Sequence, residues 1–296
     1  MITKRTDPTT GEPVENAASL QKAKDKDVEG KALIMRKYIN DVEEENDSEI
    51  DIIDSSLWDL LKENLAHHPY HIFRGSPVAL FSPYEALVFN YDALRLEASK
   101  TQDPEKQLAR DDLTRLLDII SGGSSGDEKL DKYFKNRDGY KDRSTIQFED
   151  LWTVFPPGTL VYGNPFQNEH QVFVVKDNHK PWPWRDERPR GSKEWASWKL
   201  EAWSYDWKDG LFRRTPFTLL FDEFEGPLPL TSLPYYPFRL HQQYDDVFRE
   251  LVSRGKLFRG ICEAKQSDRL FSYEGKIILE KKGFLGMRPD EEVSAL

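Results

Sequence analysis

The segment WKLEAWSYDWKDGLFRRTPFTLLF (198–221) decides the fold of the second half of the chain. It reads as two strands joined by Asp209-Gly210, a dipeptide typical of two-residue hairpin turns. Short apolar runs at 159–162 and 171–175 precede it, so the region predicts four strands. Strands of this length, separated by Pro and Gly, favour a small antiparallel sheet that curls into a partly open barrel.

Tryptophan is concentrated in this region, because six of the eight tryptophans lie within residues 182–207. Alternate residues of a strand point to opposite faces, and in the strand 195–207 both faces are largely apolar. One face carries Trp195, Trp203, Tyr205 and Trp207, and the other carries Ala196, Trp198, Leu200 and Ala202. A strand with one solvent-exposed face would be apolar on the other face only, so we expect both faces of this strand to be covered by other parts of the protein. The strand's tryptophans are therefore predicted to be core.

The preceding segment HKPWPWRDERPRGSKEW (179–195) is rich in proline and mildly basic, which predicts a long loop between two strands. Its tryptophans have two interpretations: they are core, or they form a stacking platform with neighbouring arginines. We expect this loop, with the run before the first strand, to be a contact surface. The residues of this predicted contact surface are Trp182, Trp184, Arg185, Arg188, Arg190, Trp152, Phe155 and Pro156.

The rest of the chain predicts an α+β protein in which an N-terminal helical half packs on the small antiparallel, partly open β-barrel-like sheet. Residues 1–30 are polar and predicted to be disordered, and 31–135 are predicted to be mainly helical. Within that part we expect a strand at 32–39, an acidic loop at 41–54, helices at 57–66 (capped by Ser56), 84–99 and 104–120, and a flexible linker at 121–128.

The region 145–280 is predicted to be β-rich, with one helix at 240–254 that ends at Gly255. The runs KLFRGICEA and LFSYEGKIILEK after it resemble short strands. Residues 281–296 are predicted to be a flexible C-terminal tail.

Composition argues against several classes of protein. With 42 Lys and Arg against 52 Asp and Glu, the net charge is −10, which disfavours nucleic acid and anionic membranes as partners. No apolar run approaches the ~18 residues of a membrane span, and the N-terminus does not resemble a secretory signal. The single Cys262 excludes an intrachain disulfide and fits a reducing compartment, so we expect an intracellular protein, cytoplasmic or nuclear.

Few residues of the sequence match a catalytic pattern. The sequence has no P-loop pattern. In the nearest glycine cluster, Asp127 and Glu128 follow where a phosphate-binding loop needs Lys and Ser or Thr. His67, His68 and His71 are spaced for a shared metal but lack the glutamate of a zinc-protease helix. Carboxylates crowd the hairpin and are candidates for an acid/base pair: they are Asp206, Asp209, Asp222, Glu223 and Glu225. We expect no enzyme, no metal and no cofactor.

Several segments of the chain carry a resemblance to a known family. The segments 148–163, 171–175, 198–240 and 251–275 resemble a domain of unknown function that lies N-terminal to an AAA-type ATPase module in filamentous-fungal proteins. The resemblance covers roughly residues 30–275. The nucleotide-binding lysine and acidic metal ligand of that module are not found in this chain, so ATPase activity is carried over to no residue.

The resemblance implies a non-catalytic recognition or adaptor domain that binds a protein partner or substrate, with an AAA ATPase module in cis or in trans as one candidate partner. Two alternatives stay open. One is an enzyme of unrecognised type that uses the hairpin carboxylates or the histidines. The other is a binder of single-stranded nucleic acid or glycan that uses the Trp/Arg loop.

Overall fold

A computed structural model describes residues 2–5, 30–39, 47–65, 78–101, 103–165, 169–177, 182, 197–208, 211–263, 271–273 and 276–278. The chain divides into two compact units, residues 1–145 and 146–296. Helices alternate with mainly antiparallel sheets, and no sheet closes into a barrel among the described residues. The predicted α+β class with a partly open sheet is therefore confirmed.

The first unit contains a four-stranded sheet. Its strands, in spatial order, are β1 (Ile2–Arg5), β2 (Leu33–Ile39), β3 (Asp47–Ile52) and β4 (Val78–Phe81). β1 pairs with β2 in parallel, and the other pairings are antiparallel. β2 confirms the strand predicted at 32–39, whereas β1 lies in the segment predicted to be disordered, so that prediction is wrong at residues 2–5.

β3 replaces part of the predicted acidic loop. Ile50 is fully buried and Asp51 is 7% exposed, although the segment is strongly acidic. The positive charge comes from the neighbouring strand, where the Arg36 guanidinium lies 2.5 Å from the Asp51 carboxylate and 3.5 Å from that of Glu49. The prediction of a solvated loop is therefore wrong for residues 47–52, because a cross-strand arginine partners two of the acids.

Helices pack against this sheet and each other. They are α1 (Ser55–Leu65), α2 (Glu85–Phe89), α3 (Tyr91–Ala98), α4 (Gln107–Ser121) and α5 (Glu128–Arg143), with a 3-10 turn at Pro104–Lys106. Over the described residues the helices predicted at 57–66 and 104–120 are confirmed, but the one predicted at 84–99 breaks at Asn90. In α4, the buried leucines Leu113, Leu116 and Leu117 form one face with Ile120, whereas Leu108 is 68% exposed.

Asp54, and not the predicted Ser56, caps α1. The Asp54 carboxylate accepts a hydrogen bond of 2.8 Å from the backbone N–H of Leu57, whereas Ser56 lies inside the first turn. We expect Asp54→Ala to lower the free energy of unfolding by about 1 kcal/mol, because the capped donor loses its partner. Thermal denaturation checks this. Ser56→Ala is the matched control and should change little; an equal loss in both variants would contradict the assignment.

The segment 121–128, predicted to be a flexible linker, is a packed turn that starts α5. Ser125 is fully buried, and Asp127 is 5% exposed. The Asp127 carboxylate accepts hydrogen bonds from the backbone N–H groups of Lys129 (3.0 Å) and Leu130 (3.1 Å), which makes it the N-cap of α5. The linker prediction is therefore wrong, and α5 is a helix that the sequence patterns do not predict.

The second unit is built on a five-stranded antiparallel sheet with the spatial order β11-β6-β7-β8-β9. The strands of this unit, with β5 at its boundary, are β5 (Thr145–Ile146), β6 (Leu160–Gly163), β7 (Gln171–Asp177), β8 (Trp198–Lys208), β9 (Leu211–Phe221), β10 (Leu228–Pro229) and β11 (Tyr236–Pro237). The four predicted strands are confirmed. Lys208 lies opposite Leu211 across the hairpin, although residues 209–210 are outside the described part.

A final helix, α6 (Tyr244–Glu263), and a hairpin of β12 (Phe271–Tyr273) and β13 (Lys276–Ile278) follow. α6 continues through Gly255, so the predicted stop there is wrong. KLFRGICEA is helical up to Glu263, which corrects the strand predicted around Cys262. The strands predicted in the last apolar run are confirmed. The predicted tail, residues 281–296, lies outside the described residues, as do residues 6–29.

Candidate functional site: an aromatic face of the sheet

Part of the predicted contact surface is core. Trp152 and Phe155 are both 0% exposed. The Phe155 ring lies 5.3 Å from that of Phe221 and 6.0 Å from that of Trp198, both on the inner face of the sheet. A 3-10 segment, Phe148–Val154, turns these side chains inward. Trp152 and Phe155 therefore stabilise the second unit and do not offer a surface to a partner.

Trp182 and Pro156 are half-buried. The Trp182 ring packs edge-on against the buried Trp152, with centroids 5.2 Å apart. The other loop residues of the predicted surface lie outside the described part of the chain: they are Trp184, Arg185, Arg188 and Arg190. A binding role for this loop stays a prediction.

The candidate catalytic carboxylates lie at the two ends of the hairpin, with Asp206 near its turn and Asp222, Glu223 and Glu225 at the other end. Asp206 lies opposite Arg213, near the turn of the hairpin, while Asp222 follows Phe221 at its other end and accepts a hydrogen bond from Ser197. Nine positions of β9 separate the two ends, roughly 30 Å of extended strand, which excludes Asp206 and Asp222 as an acid/base pair. His67, His68, His71 and Asp209 lie outside the described residues, within which no group of three His, Cys, Asp or Glu side chains could hold a metal.

The register of β8 and β9 separates an inner from an outer face. Residues opposite each other in an antiparallel pair share a face. On the inner face Trp198 lies opposite Phe221 and Leu200 opposite Leu219, and all four are buried. The prediction that this set is core is therefore correct.

The outer face carries a row of aromatic side chains that are not core. We call it the aromatic row, and it consists of Trp203, Tyr205 and Trp207 on β8 with Phe212 and Arg214 on β9. Tyr205 is 58% exposed, Arg214 is exposed, and the other rings are half-buried. The prediction that both faces of β8 are fully covered is therefore wrong for the outer face.

The contacts within the aromatic row hold its rings in place. The Arg214 guanidinium lies 4.4 Å from the Trp203 ring, within range of a cation–π interaction. Tyr205 meets Trp203 edge-on at 5.2 Å, and Trp207 meets Phe212 at 4.8 Å. The Trp203 indole nitrogen is buried and has no hydrogen-bond partner among the described residues. A preformed arrangement of rings and one guanidinium reduces the entropy that a partner must lose on binding.

Polar residues in the sequence of β8 and β9 indicate that the face carrying the aromatic row reaches solvent. Lys199 and Glu201 occupy the same alternate set of positions as the aromatic row, and Thr218 lies opposite Glu201. Polar side chains at one end of a set indicate a face that reaches water. The aromatic rings at the other end of β8 make the same face apolar on average, so the alternation of polar and apolar residues predicts that it is buried.

A second cluster, of histidines and tyrosines, lies on the same outer face at the other edge of the sheet. The Tyr162 hydroxyl and His170 Nδ1 are 2.7 Å apart, and the His241 ring packs edge-on against Tyr162 at 4.4 Å. Burial raises the pKa values of Tyr162 and Tyr236, so neither phenol suits the role of a base near neutral pH. Burial, and then the charge of His170, lowers the pKa of His241.

The comparisons with known proteins identify part of this region. A family model for a domain of unknown function, DUF7025, matches residues 136–242, about a third of the chain. The match spans all five strands of the sheet and ends just before α6. No curated protein and no solved structure gives a significant match. Among the described residues, none of the helices combines the length and apolar character needed to cross a bilayer.

Proposed function

We propose that the second unit is a non-catalytic recognition module that binds a protein partner through the aromatic row. The observation that supports this most is the stacking of Arg214 on Trp203 beside the exposed Tyr205, on the outer face of a sheet. Trp, Tyr and Arg are the residues that contribute most binding energy at protein interfaces. Rigid strands hold such groups more accurately than loops do.

A protein suits this surface better than a nucleic acid. Lys176 of the neighbouring strand β7 is paired with Glu201 at 2.8 Å, so its charge is already compensated by a carboxylate. Phosphate backbones are bound by several uncompensated cations, and the whole chain carries a net charge of −10. The resemblance to domains that precede AAA-type ATPases in fungal proteins makes such a module, in cis or in trans, the first partner to test.

The test compares surface variants in a reconstituted complex. Partners are captured by crosslinking, purified, and titrated calorimetrically against the wild-type chain and the variants Tyr205→Ala and Arg214→Ala. We expect each variant to weaken Kd about 30-fold, the effect of losing roughly 2 kcal/mol at a hot spot. Melting temperatures should be almost unchanged, because both side chains are exposed.

Leu220→Ala is the matched control, since Leu220 is an exposed apolar residue of the same face outside the aromatic row. It should bind as the wild type does. Equal Kd values for wild type and both row variants would exclude this surface. Salt-dependent binding of a single-stranded oligonucleotide that is lost in the same variants would assign it to nucleic acid and contradict the proposal.

A further inference from the structure

α6 lies against the outer face of the sheet through a narrow stripe, and nearer the end of the helix the Phe258 ring packs against Phe212 of the aromatic row at 6.0 Å. Tyr162 and Val172, which lie opposite each other on β6 and β7, pack with Phe238 against the helix residues Val247 and Leu251. Val247 is 3% exposed, but much of the rest of the helix faces solvent: Phe248, Val252 and Leu257 are 44%, 39% and 47% exposed. A helix attached by so few buried side chains belongs to the part of a protein that opens most easily.

Polar contacts hold the stripe at two points. At the start of the helix, His241 Nδ1 accepts a hydrogen bond of 3.0 Å from the backbone N–H of Gln243 while its ring packs on Tyr162. Three turns later the Arg254 guanidinium donates to the backbone carbonyl of His170 and to Gln171 Oε1. It also lies 3.7 Å from the carboxylate of Glu169.

The first of these contacts requires a neutral imidazole. A proton on His241 Nδ1 would replace the acceptor with a donor, so the bond from Gln243 would be lost. The new charge would also lie beside the positive end of the helix dipole, which disfavours it. We propose that α6 is a strap over the outer face of the sheet, and that protonation of His241 releases it.

The surroundings of His241 and His170 differ in their charged and titratable groups. His170 faces a carboxylate of the helix, because Glu250 lies 4.0 Å from its Nε2. Arg254 and Glu169 pair with each other, and the phenols of Tyr162 and Tyr236 stay neutral at physiological pH. His241 is thus the group of this cluster whose protonation opposes attachment of the helix.

The direction of the pH dependence follows from the lowered pKa of His241. In the open state the imidazole regains its ordinary pKa near 6.5, so the open state binds the proton first as the pH falls. Opening therefore becomes easier below about pH 6.5 and levels off below the pKa of the closed state. Each pKa unit between the two states would change the opening constant about tenfold.

Hydrogen exchange of the full-length protein, followed by mass spectrometry between pH 7.5 and 5 and corrected for intrinsic rates, tests this directly. We expect protection of the α6 amides to fall with pH while protection of β6 to β9 is unchanged. His241→Asn should abolish the pH dependence, because its amide oxygen accepts the same bond and does not titrate. His170→Asn should retain it, since burial is the larger cause of the His241 shift.

Arg254→Ala separates the trigger from the second attachment point. It should raise exchange of α6 at every pH without removing the pH dependence. Three results would each overturn the proposal: α6 protection that does not vary with pH in the wild type, a pH dependence that survives in His241→Asn, or a loss of protection that extends equally through the whole sheet. The experiment contains no partner, so these outcomes can be judged separately from binding at the aromatic row.

Discussion

Replacing Trp152 with alanine is expected to lower the free energy of unfolding by about 3–5 kcal/mol, the usual cost of emptying a buried tryptophan site. The side chain is 0% exposed, and its ring packs edge-on against that of Trp182. Equilibrium denaturation in urea measures the loss. A residue of a contact surface would behave in the opposite way, with unchanged stability and weakened binding.

Trp182→Ala is the matched control for this prediction. Trp182 is half-buried and packs against Trp152, so its replacement should lower the free energy of unfolding clearly less than replacement of Trp152 does. Equal costs for the two variants would show that both rings are core to the same extent. No effect of Trp152→Ala would contradict the packing described for the 3-10 segment.

The hairpin is predictable because its signals are local. Alternation of side chains, the Asp-Gly turn and β-branched or aromatic residues act within a few positions, and they specify β8, β9 and their pairing. The same holds for α1, whose leucines repeat at helical spacing. Helix ends are less predictable: Gly255 is compatible with a stop, but α6 continues where packing of Phe258 against Phe212 supports it.

α5 escapes prediction because one of its buried positions is an arginine. The buried residues are Leu130, Tyr133, Arg137 and Tyr140, at helical spacing, but Arg137 breaks the apolar pattern. Its guanidinium is buried because it stacks on Tyr91 at 4.6 Å and binds the carboxylate of Asp92 at 2.7 Å. Both partners come from α3, so no local pattern could reveal them.

The aromatic row differs from the contact surface that the sequence predicts, because burial also depends on residues distant along the chain. Whether a tryptophan is core depends on what covers it, and periodicity shows only which rings share a face. Trp198 and Trp203 look alike in the sequence, yet one is buried and the other half-exposed. Sequence alone places Trp152 at the surface because the groups of β8 and β9 that surround its segment are distant along the chain.

Asp127→Asn is expected to stabilise the protein at pH 7 and to have little effect at pH 4. Burial, with the nearby charge of Asp47, raises the pKa of Asp127 to about 6 from an ordinary value of 3.8. Between these pH values the unfolded chain has released a proton that the folded chain retains, so the free energy of unfolding falls as the pH rises. A difference of about two pKa units corresponds to roughly 1–3 kcal/mol at pH 7.

Asparagine suits this test because it removes the charge and keeps the cap. Its amide oxygen can accept the bonds from Lys129 and Leu130, whereas Asp127→Ala loses them and should cost about 0.5–2 kcal/mol at every pH. Glu128→Gln, an exposed neighbour in the first turn of α5, controls for removal of any carboxylate near the helix N-terminus and should destabilise slightly. Thermal unfolding of the four proteins from pH 4 to pH 7.5 distinguishes these effects. A stability of Asp127→Asn that parallels the wild type across this range would show that the buried carboxylate titrates normally, and that the turn at 121–128 opens enough to hydrate it.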